Sequence, residues 1–222
     1  MCIRSFFINL ITLSVFTILL FYLSNTLSAR EITVKPGTKI NTLKSALLLA
    51  ENGDIIKVSK STYFIEDLII DKSISLIGID YPILDGQKKS NLLIIRAPHV
   101  TVKGFIIRNS GFANIKDKAG IRVEKCDGVN ILNNRLESTC FGIYLAKVKG
   151  GTISGNTILG TNSVIQSGNG IHLWYSNNVK IINNKISGQR DGIYFEFATH
   201  CEIARNVSEN NHRYGLHFMF SN

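Results

Sequence analysis

The side chains with the most varied chemistry end the sequence, which closes on "NHRYGLHFMFSN" at residues 211–222. His212, His217 and Met219 lie in this segment. Imidazole nitrogen and thioether sulfur suit copper, whereas calcium and magnesium prefer oxygen ligands. The segment therefore predicts a candidate copper site at these three residues. No cysteine or carboxylate cluster accompanies them, so we expect no tightly bound cofactor, with copper as the one candidate.

Which side chains share a surface depends on a repeat that runs through most of the chain. Asparagines recur at steps of 25, 22, 28 and 22, and glycines at steps of 22, 28, 22 and 23. The two columns are Asn109, Asn134, Asn156, Asn184 and Asn206, and Gly120, Gly142, Gly170, Gly192 and Gly215. Two columns in step, with a period near 22 and short apolar runs between turn residues, predict an all-β parallel solenoid.

Each column has an expected structural role. Asparagine tolerates the left-handed backbone of a sharp corner, and its amide can bond to the asparagine of the next coil, so we expect a ladder. The glycines are expected at the other corner. Strand side chains alternate in direction, so the first and third residues after each glycine point the same way. All ten are apolar and are predicted to face the core: Ile121, Val123, Ile143, Leu145, Ile171, Leu173, Ile193, Phe195, Leu216 and Phe218.

The residues between these apolar positions form an outward face. A solvated sheet face usually carries Lys, Thr and Glu, whereas this one carries aromatic, His and Met side chains, which favours a covered surface. The alternative is an aromatic stack that only stabilises the solenoid. A loop at 161–167, inserted in the 28-residue step, is expected beside this face. The predicted partner-binding face consists of Tyr144, His172, Trp174, Tyr194, Glu196, His217 and Met219.

The same face could instead hold a sugar. Carbohydrate-active solenoids use paired carboxylates or a set of Tyr, His and Arg. Those types occur here in Tyr144, His172, Tyr194, Arg190, Asp191 and Glu196. Asp191 directly precedes a column glycine, however, where a turn-capping role is expected, and Asp191 and Glu196, the two carboxylates of this set, do not share a column. We therefore expect no enzymatic activity, with a carbohydrate-active enzyme or a polysaccharide-binding protein as the alternative.

The remaining segments divide the chain into three parts. In residues 1–29, Arg4 is the only charge, and "FFINLITLSVFTILLFYL" before small residues predicts a signal peptide or an uncleaved anchor. Residues 30–60 are expected to form an N-terminal cap with one short helix, which Asn41 caps and Gly53 closes. Residues 61–222 are expected to form the solenoid.

Composition limits the partners. Lys and Arg outnumber Asp and Glu by 25 to 16, but the charge is dispersed and no basic helix occurs, so we expect no nucleic acid partner. Beyond the signal the cysteines are Cys126, Cys140 and Cys201, without CxxC spacing. Buried positions are favoured for them over a disulfide.

Residues 168–222, "GNGIHLWYSNNVKIINNKISGQRDGIYFEFATHCEIARNVSENNHRYGLHFMFSN", resemble the NosD family of periplasmic nitrous oxide reductase maturation proteins. Within this segment, the runs "GIYFEF" and "RYGLHFMFSN" are the ones specific to that family. "LKSALLLAENGDIIKVSKSTY" and "LIIDKSISLIGID" resemble the amino-terminal cap and first coils of that family. The resemblance implies a right-handed, single-stranded parallel β-helix of the carbohydrate-binding and sugar-hydrolase repeat type, without hydrolase activity.

The resemblance also implies a biological role. It is that of a periplasmic assembly factor for the copper-sulfide centre of nitrous oxide reductase, which is the client. The factor would be the docking platform for the membrane and ATPase subunits of an ABC transporter, NosY and NosF, beside the copper chaperone NosL. Members of the family continue with more coils and a terminal cap, so the ending "FMFSN" predicts a truncated member whose solenoid is incomplete at the C-terminus.

Overall fold

The computed structural model describes residues 29–112, 117–161, 163 and 165–222. Residues 1–28, and with them nearly all of the predicted signal peptide or anchor, lie outside the described residues. The described part forms one helix and 22 strands. None of its residues belongs to a helix long and apolar enough to cross a bilayer.

The elements are short because turn residues interrupt each apolar run. Helix α1 spans Leu43–Leu49. The strands are β1 (Glu31–Val34), β2 (Ile55–Val58), β3 (Thr62–Phe64), β4 (Leu68–Ile70), β5 (Ser75–Gly78), β6 (Ile83–Asp85), β7 (Leu93–Ile95), β8 (Thr101–Lys103), β9 (Ile106–Arg108), β10 (Ala119–Glu124), β11 (Asp127–Leu132), β12 (Arg135–Glu137), β13 (Phe141–Ala146), β14 (Lys149–Ser154), β15 (Thr157–Leu159), β16 (Ile171–Trp174), β17 (Lys180–Ile182), β18 (Lys185–Ser187), β19 (Asp191–Glu196), β20 (Glu202–Ala204), β21 (Val207–Glu209) and β22 (Tyr214–Met219).

The strands form three parallel sheets, which confirms the predicted all-β parallel solenoid. Sheet A has the order β1-β2-β5-β8-β11-β14-β17-β20, sheet B has β3-β6-β9-β12-β15-β18-β21, and sheet C has β4-β7-β10-β13-β16-β19-β22. Successive strands of a sheet belong to successive coils, with about 8 turns of roughly 23 residues. Every position of the repeat therefore stacks directly on its equivalent in the next coil.

The predicted inward columns form the core. Ile121, Ile143 and Ile171 pair in register in sheet C and are fully buried. Leu216 and Phe218 continue the columns into β22, yet they are 44% and 51% exposed. The reason is that β22 is the outermost strand of sheet C, so its side chains have a neighbouring coil on one side only.

The N-cap of helix α1 lies one residue after the predicted asparagine cap. Thr42, and not Asn41, is the N-cap residue, and its Oγ1 accepts a hydrogen bond from the Ser45 amide at 3.1 Å. Leu43 and Ala46 face the core.

The end of α1 also differs from the prediction. Ala50 already has extended backbone, so Gly53 lies in the turn beyond the helix. The Asp54 carboxylate holds that turn, because it accepts hydrogen bonds from the Glu51 amide at 2.9 Å and from the Arg30 guanidinium at 2.8 Å.

A buried asparagine ladder joins four coils. The side-chain nitrogens of Asn134, Asn156 and Asn184 each donate to the Oδ1 of the next asparagine, at 3.2, 3.0 and 2.9 Å. The left-handed conformation falls one residue before each ladder position, because that residue turns the chain and leaves the asparagine pointing between the coils. The residues that adopt it are Asn133, Gly155, Asn183 and Arg205.

Asn109 lies outside this ladder, so that part of the prediction was wrong. The strand register places Phe105, 29 residues before Asn134, at the equivalent position, and the Phe105 amide donates to Asn134 Oδ1 at 3.1 Å. Asn109 instead donates to the Asp85 carboxylate at 3.0 Å, with φ of 59°. An insertion around residues 110–118 lengthens this coil. Asn109 therefore matches the column by residue type but not by position.

The glycine column lies in or directly before the strands of sheet C and not at a corner, and none of its members has a positive φ. Glycine is needed at these positions because neighbouring coils approach each other closely. A Cβ on Gly170 would lie 2.5 Å from Ile186 Cγ2 and 2.6 Å from the Gly192 carbonyl oxygen. A Cβ on Gly192 would likewise lie 2.6 Å from the Gly215 oxygen.

The three described cysteines are free. Cys126 and Cys140 are buried, and their burial raises the pKa of each thiol to about 11. Cys201 is half-buried and stacks on Val179. Cys126 lies in the solenoid core, whereas Cys140 belongs to a second apolar cluster outside it.

Candidate partner-binding face

One column on the outward side of sheet C forms a continuous stack. Strands β10, β13, β16, β19 and β22 place Arg122, Tyr144, His172, Tyr194 and His217 in register, and we call these five residues the aromatic strip. The Arg122 guanidinium carbon lies 4.5 Å from the centroid of the Tyr144 ring. Successive ring centroids are then 4.6, 4.8 and 4.7 Å apart, with the rings edge to face. This spacing follows from the strand separation in a sheet.

The middle of the aromatic strip is buried although it lies outside the solenoid core. Phe141 covers it, with ring centroids 5.5 Å from Tyr144 and 5.6 Å from His172. Gly168 packs behind Phe141 so closely that a Cβ there would lie 2.6 Å from the ring. The chain itself therefore covers part of the face that the sequence predicts for a partner.

The hydrogen bonds of His172 determine where its proton lies. Arg190 Nε donates to Asn169 Oδ1 at 3.3 Å. Because a guanidinium can only donate, Asn169 Nδ2 is left to donate to His172 Nδ1, also at 3.3 Å. The proton is therefore on His172 Nε2, which lies 3.5 Å from Glu196 Oε2 but makes no hydrogen bond to a described residue. Burial, followed by the charge of Arg190, lowers the pKa of His172 to about 3.

A second outward column beside the strip is more accessible. Lys147 Nζ lies 5.3 Å from the centroid of the Trp174 ring, and the Tyr194 hydroxyl donates to Met219 Sδ at 2.8 Å. Trp174, Glu196 and Met219 all retain exposed surface. Together with His217 of the aromatic strip, whose side chain is 28% exposed, they are the part of the predicted face that a partner can reach. The column consists of Glu124, Ala146, Trp174, Glu196 and Met219.

Asp191 is an ion-pair partner, and the expected turn-capping role is wrong. The Arg213 guanidinium donates to both Asp191 oxygens, at 3.0 and 2.5 Å, and His217 Nδ1 lies 3.4 Å from Oδ2. Burial alone would raise the pKa of Asp191, but the bonds from Arg213 and His217 lower it below its usual value. The sequence did carry a signal for this pair, because Arg213 follows Asp191 by 22 residues, one position short of a full coil at this step.

The predicted copper ligands are only partly brought together. His217 and Met219 share the outward side of β22, and both contact Tyr194. His212 lies in the corner before β22, where its amide donates to the Gln189 carbonyl at 2.8 Å and its Nε2 is buried without a described partner. Within the described residues, no three His, Cys, Asp or Glu side chains come together as a metal-binding group.

Two clefts lie near sheet C, and one of them includes Arg122 of the aromatic strip. One, of about 610 Å³, is lined by Arg96, Arg122 and Glu124 among others. Glu124 is held there by Arg96 Nε at 3.0 Å and Arg122 Nε at 2.6 Å. The other, of about 390 Å³, lies where the predicted loop enters sheet C and is lined by Cys140 and Gln166, with Ser110, Thr161 and Ser163.

A comparison with protein families identifies the group to which these features belong. The family described as "Periplasmic copper-binding protein (NosD)" matches residues 24–222, which is most of the chain. The chain belongs to the NosD family. The specific runs in "GIYFEF" and "RYGLHFMFSN" thus correspond to strands β19 and β22, which carry one end of the aromatic strip.

Two curated NosD relatives match about half of the chain. Both bear the name "Probable ABC transporter binding protein NosD": that of Pseudomonas aeruginosa is 36% identical over 112 residues, and that of Stutzerimonas stutzeri is 31% identical over 113 residues. The matched segment spans 26% of the length of each relative.

Solved structures share the solenoid fold with this NosD family member. The Dettilon tailspike protein matches with a TM-score of 0.61 and 16% identity, over 85% of this chain and 46% of its own. A rhamnogalacturonan lyase matches with a TM-score of 0.56 and 12% identity, over 87% of this chain and 62% of its own. At these identities the likeness concerns the fold alone.

Proposed function

We propose that this protein is a periplasmic assembly factor that helps to build the copper-sulfide centre of nitrous oxide reductase. It serves as the docking platform of an ABC transporter, whose membrane and ATPase subunits and copper chaperone are its partners. The observation that carries this proposal is the NosD family match over residues 24–222. The names of the two curated relatives, which refer to binding an ABC transporter, point the same way.

The aromatic strip and the column beside it are the docking face in this proposal. Rigid aromatic side chains flanked by a few charged ones are typical of protein interfaces. Trp174, Glu196 and Met219 supply the accessible contacts, while the buried Tyr144, His172 and Tyr194 hold the strand side chains in place. In this proposal the loop at 161–167 is part of the same docking surface.

The protein acts without catalysis in this proposal. The carboxylates of Glu124 and Asp191 each engage a guanidinium, and the net effect of burial and those guanidiniums is a lowered pKa for both. A general acid for sugar chemistry needs a raised pKa instead. His172 is held neutral by burial and is a poor general acid or base.

Copper is cargo in this proposal and not a resident cofactor. Met219 Sδ already accepts from Tyr194, and His217 Nδ1 already faces Asp191. We expect copper(I) titration in the presence of a competing chelator to leave the full chain without stoichiometric copper. One copper per chain, lost when His212, His217 and Met219 are replaced together by alanine, would instead establish the site that the sequence predicts.

The function is tested in the cells that carry this gene. Removal of the gene is expected to yield nitrous oxide reductase that lacks its copper-sulfide centre, measured by copper content and visible absorption of the purified reductase. Return of the full chain is expected to restore both, and the transporter subunits are expected to copurify with it. Reductase with a complete centre in cells without the gene would overturn the proposal.

A further inference from the structure

A ridge of exposed side chains runs along one corner of the solenoid. Each of its residues directly follows a strand of sheet C, and hydrogen bonds join the corner of each coil to the next strand end, as from the Tyr175 amide to the Glu196 carbonyl at 2.9 Å. Tyr175 is 49% exposed and Phe197 37%. We define the corner ridge as Lys125, Lys147, Tyr175, Phe197 and Phe220.

The aromatic part of the corner ridge is a stack of parallel rings. The centroids of Tyr175 and Phe197 are 4.5 Å apart at 19°, and those of Phe197 and Phe220 are 5.1 Å apart at 10°. Neighbouring rings therefore cover each other's faces, and their edges point into solvent. Few ring faces are therefore open to a ligand that would stack on them. Three ring edges in a row are open to a surface that contacts edges.

The backbone conformation of the corner ridge is unfavourable for these residue types. All five residues are left-handed, with φ between 46° and 58°. That region favours glycine, asparagine and aspartate, and it is disfavoured for bulky side chains. Other corners do use asparagine, as at Asn178 and Asn183. Three successive aromatics at such positions override local preference, which is typical of functional surfaces.

The shape and charge of the corner ridge fit a flat anionic surface. Its residues lie on a straight convex edge, and four coil steps place its ends about 19 Å apart. Two of its members are lysines and none is a carboxylate. A chain ligand needs a groove, whereas a straight edge can touch a plane along its full length. Aromatic rings beside lysines are the residue types that lie at a bilayer interface, where anionic headgroups attract the lysines.

We propose that the corner ridge docks the solenoid onto an anionic lipid bilayer. The ring edges of Tyr175, Phe197 and Phe220 enter the headgroup region, and Lys125 and Lys147 face the lipid phosphates. The corner ridge borders the docking face on sheet C, because the Trp174 ring lies beside both Tyr175 and Lys147. The lipid contact nevertheless does not depend on the role in reductase assembly.

Trp174 provides a built-in reporter for this contact. It is the single tryptophan of the chain, and its ring centroid lies 4.9 Å from that of Tyr175. The full chain is mixed with vesicles of phosphatidylcholine containing about 30% phosphatidylglycerol. We expect Trp174 fluorescence to become shielded from aqueous acrylamide and quenched by brominated lipids. Residues 1–28 can attach the chain to vesicles by themselves, but that attachment alone leaves Trp174 open to acrylamide.

The ridge variant replaces both Tyr175 and Phe197 by asparagine, which suits their left-handed backbone. It is expected to lose the shielding of Trp174. Tyr81→Asn is the matched control, because Tyr81 is 51% exposed, has φ of 54° and lies at another corner. This control is expected to behave as the unaltered chain does.

The lysines are tested separately. Lys125→Gln and Lys147→Gln are each expected to weaken the vesicle-dependent shielding of Trp174 about fivefold, with Lys88→Gln, also at positive φ, as the control. Trp174 that stays equally open to acrylamide with and without vesicles would overturn the proposal. Shielding of Trp174 that occurs only when a membrane protein is present, and never with lipid alone, would also overturn it. So would shielding of equal size in the ridge variant and in its control.

Discussion

His172 is the residue that sequence and structure describe most differently. Its register places it on the outward face, as the alternation of side chains predicts. It is nevertheless 6% exposed, because Phe141 and the segment before the strand pack over it. Alternation determines which side of a sheet a residue faces, but burial on that side depends on whether another segment covers it. The partner-binding face predicted from sequence was therefore too wide at its buried centre.

The buried neutral state of His172 makes stability depend on pH. Its folded pKa of about 3 lies below the ordinary 6.5, so between these values the unfolded chain binds a proton that the folded chain does not. Stability is thus expected to fall as pH drops from about 6.5 towards 4.5, by at most about 1.4 kcal/mol per pH unit from this residue. The free energy of unfolding, measured by urea titration at several pH values, should change less steeply with pH for His172→Gln than for the unaltered chain. Equal slopes for the two proteins would contradict the assignment.

The asparagine ladder makes a second prediction at the residue scale. Asn156→Ala removes the acceptor of the Asn134 amide and the donor to the Ile131 carbonyl. Both groups are buried, so the loss is expected to be about 3 kcal/mol in the free energy of unfolding. Asn130→Ala is the control in a neighbouring strand, because its side chain makes only one long bond of 3.5 Å, and it should cost about 0.5 kcal/mol or less. Equal losses in urea titration would show that the ladder contributes nothing special.

The strands and their register were largely predictable from sequence, whereas corners and insertions were not. The alternation of apolar residues after each glycine fixed the inward and outward columns of sheet C, because a slip of one residue would expose every core side chain. The extra length near residues 110–118 is not predictable from the asparagine column, since Asn109 matches the ladder by residue type. The sequence predicts the N-cap at Asn41 instead of Thr42, because two adjacent candidates of similar capping ability cannot be separated by type alone.

The glycine column makes a prediction at the scale of the coil. Gly170→Ala would force its Cβ against the Gly192 oxygen of the next coil. Two backbones would have to separate, so we expect a loss of about 1–3 kcal/mol in the free energy of unfolding. Gly150 has φ of 68° and open space around it, so Gly150→Asn is expected to be nearly neutral. A Gly170→Ala protein as stable as Gly150→Asn in urea would mean that close approach is not what the column requires.

At the scale of the whole molecule, the solenoid presents three parallel sheets, and sheet C differs from the others on its outer side. It alone carries the aromatic strip, and the corner ridge follows its strands. The family resemblance seen in the sequence is confirmed by the match over residues 24–222, whereas the curated relatives are matched over 26% of their length. Fold and family were thus accessible from periodicity and motif. The binding surfaces required the packing of loops and corners, which no repeat predicts.

The central claim is that the accessible part of the outer side of sheet C docks the assembly partners. The most direct measurement is the copper content and visible absorption of nitrous oxide reductase from cells in which the chromosomal gene carries Trp174→Ala with Glu196→Lys. Phe64→Ala with Glu66→Lys is the matched control, because both residues are exposed and lie in or just after strand β3 of sheet B. The account predicts reductase without its copper-sulfide centre in the first case and complete reductase in the second, at equal levels of the folded assembly protein. Complete reductase in both would contradict it.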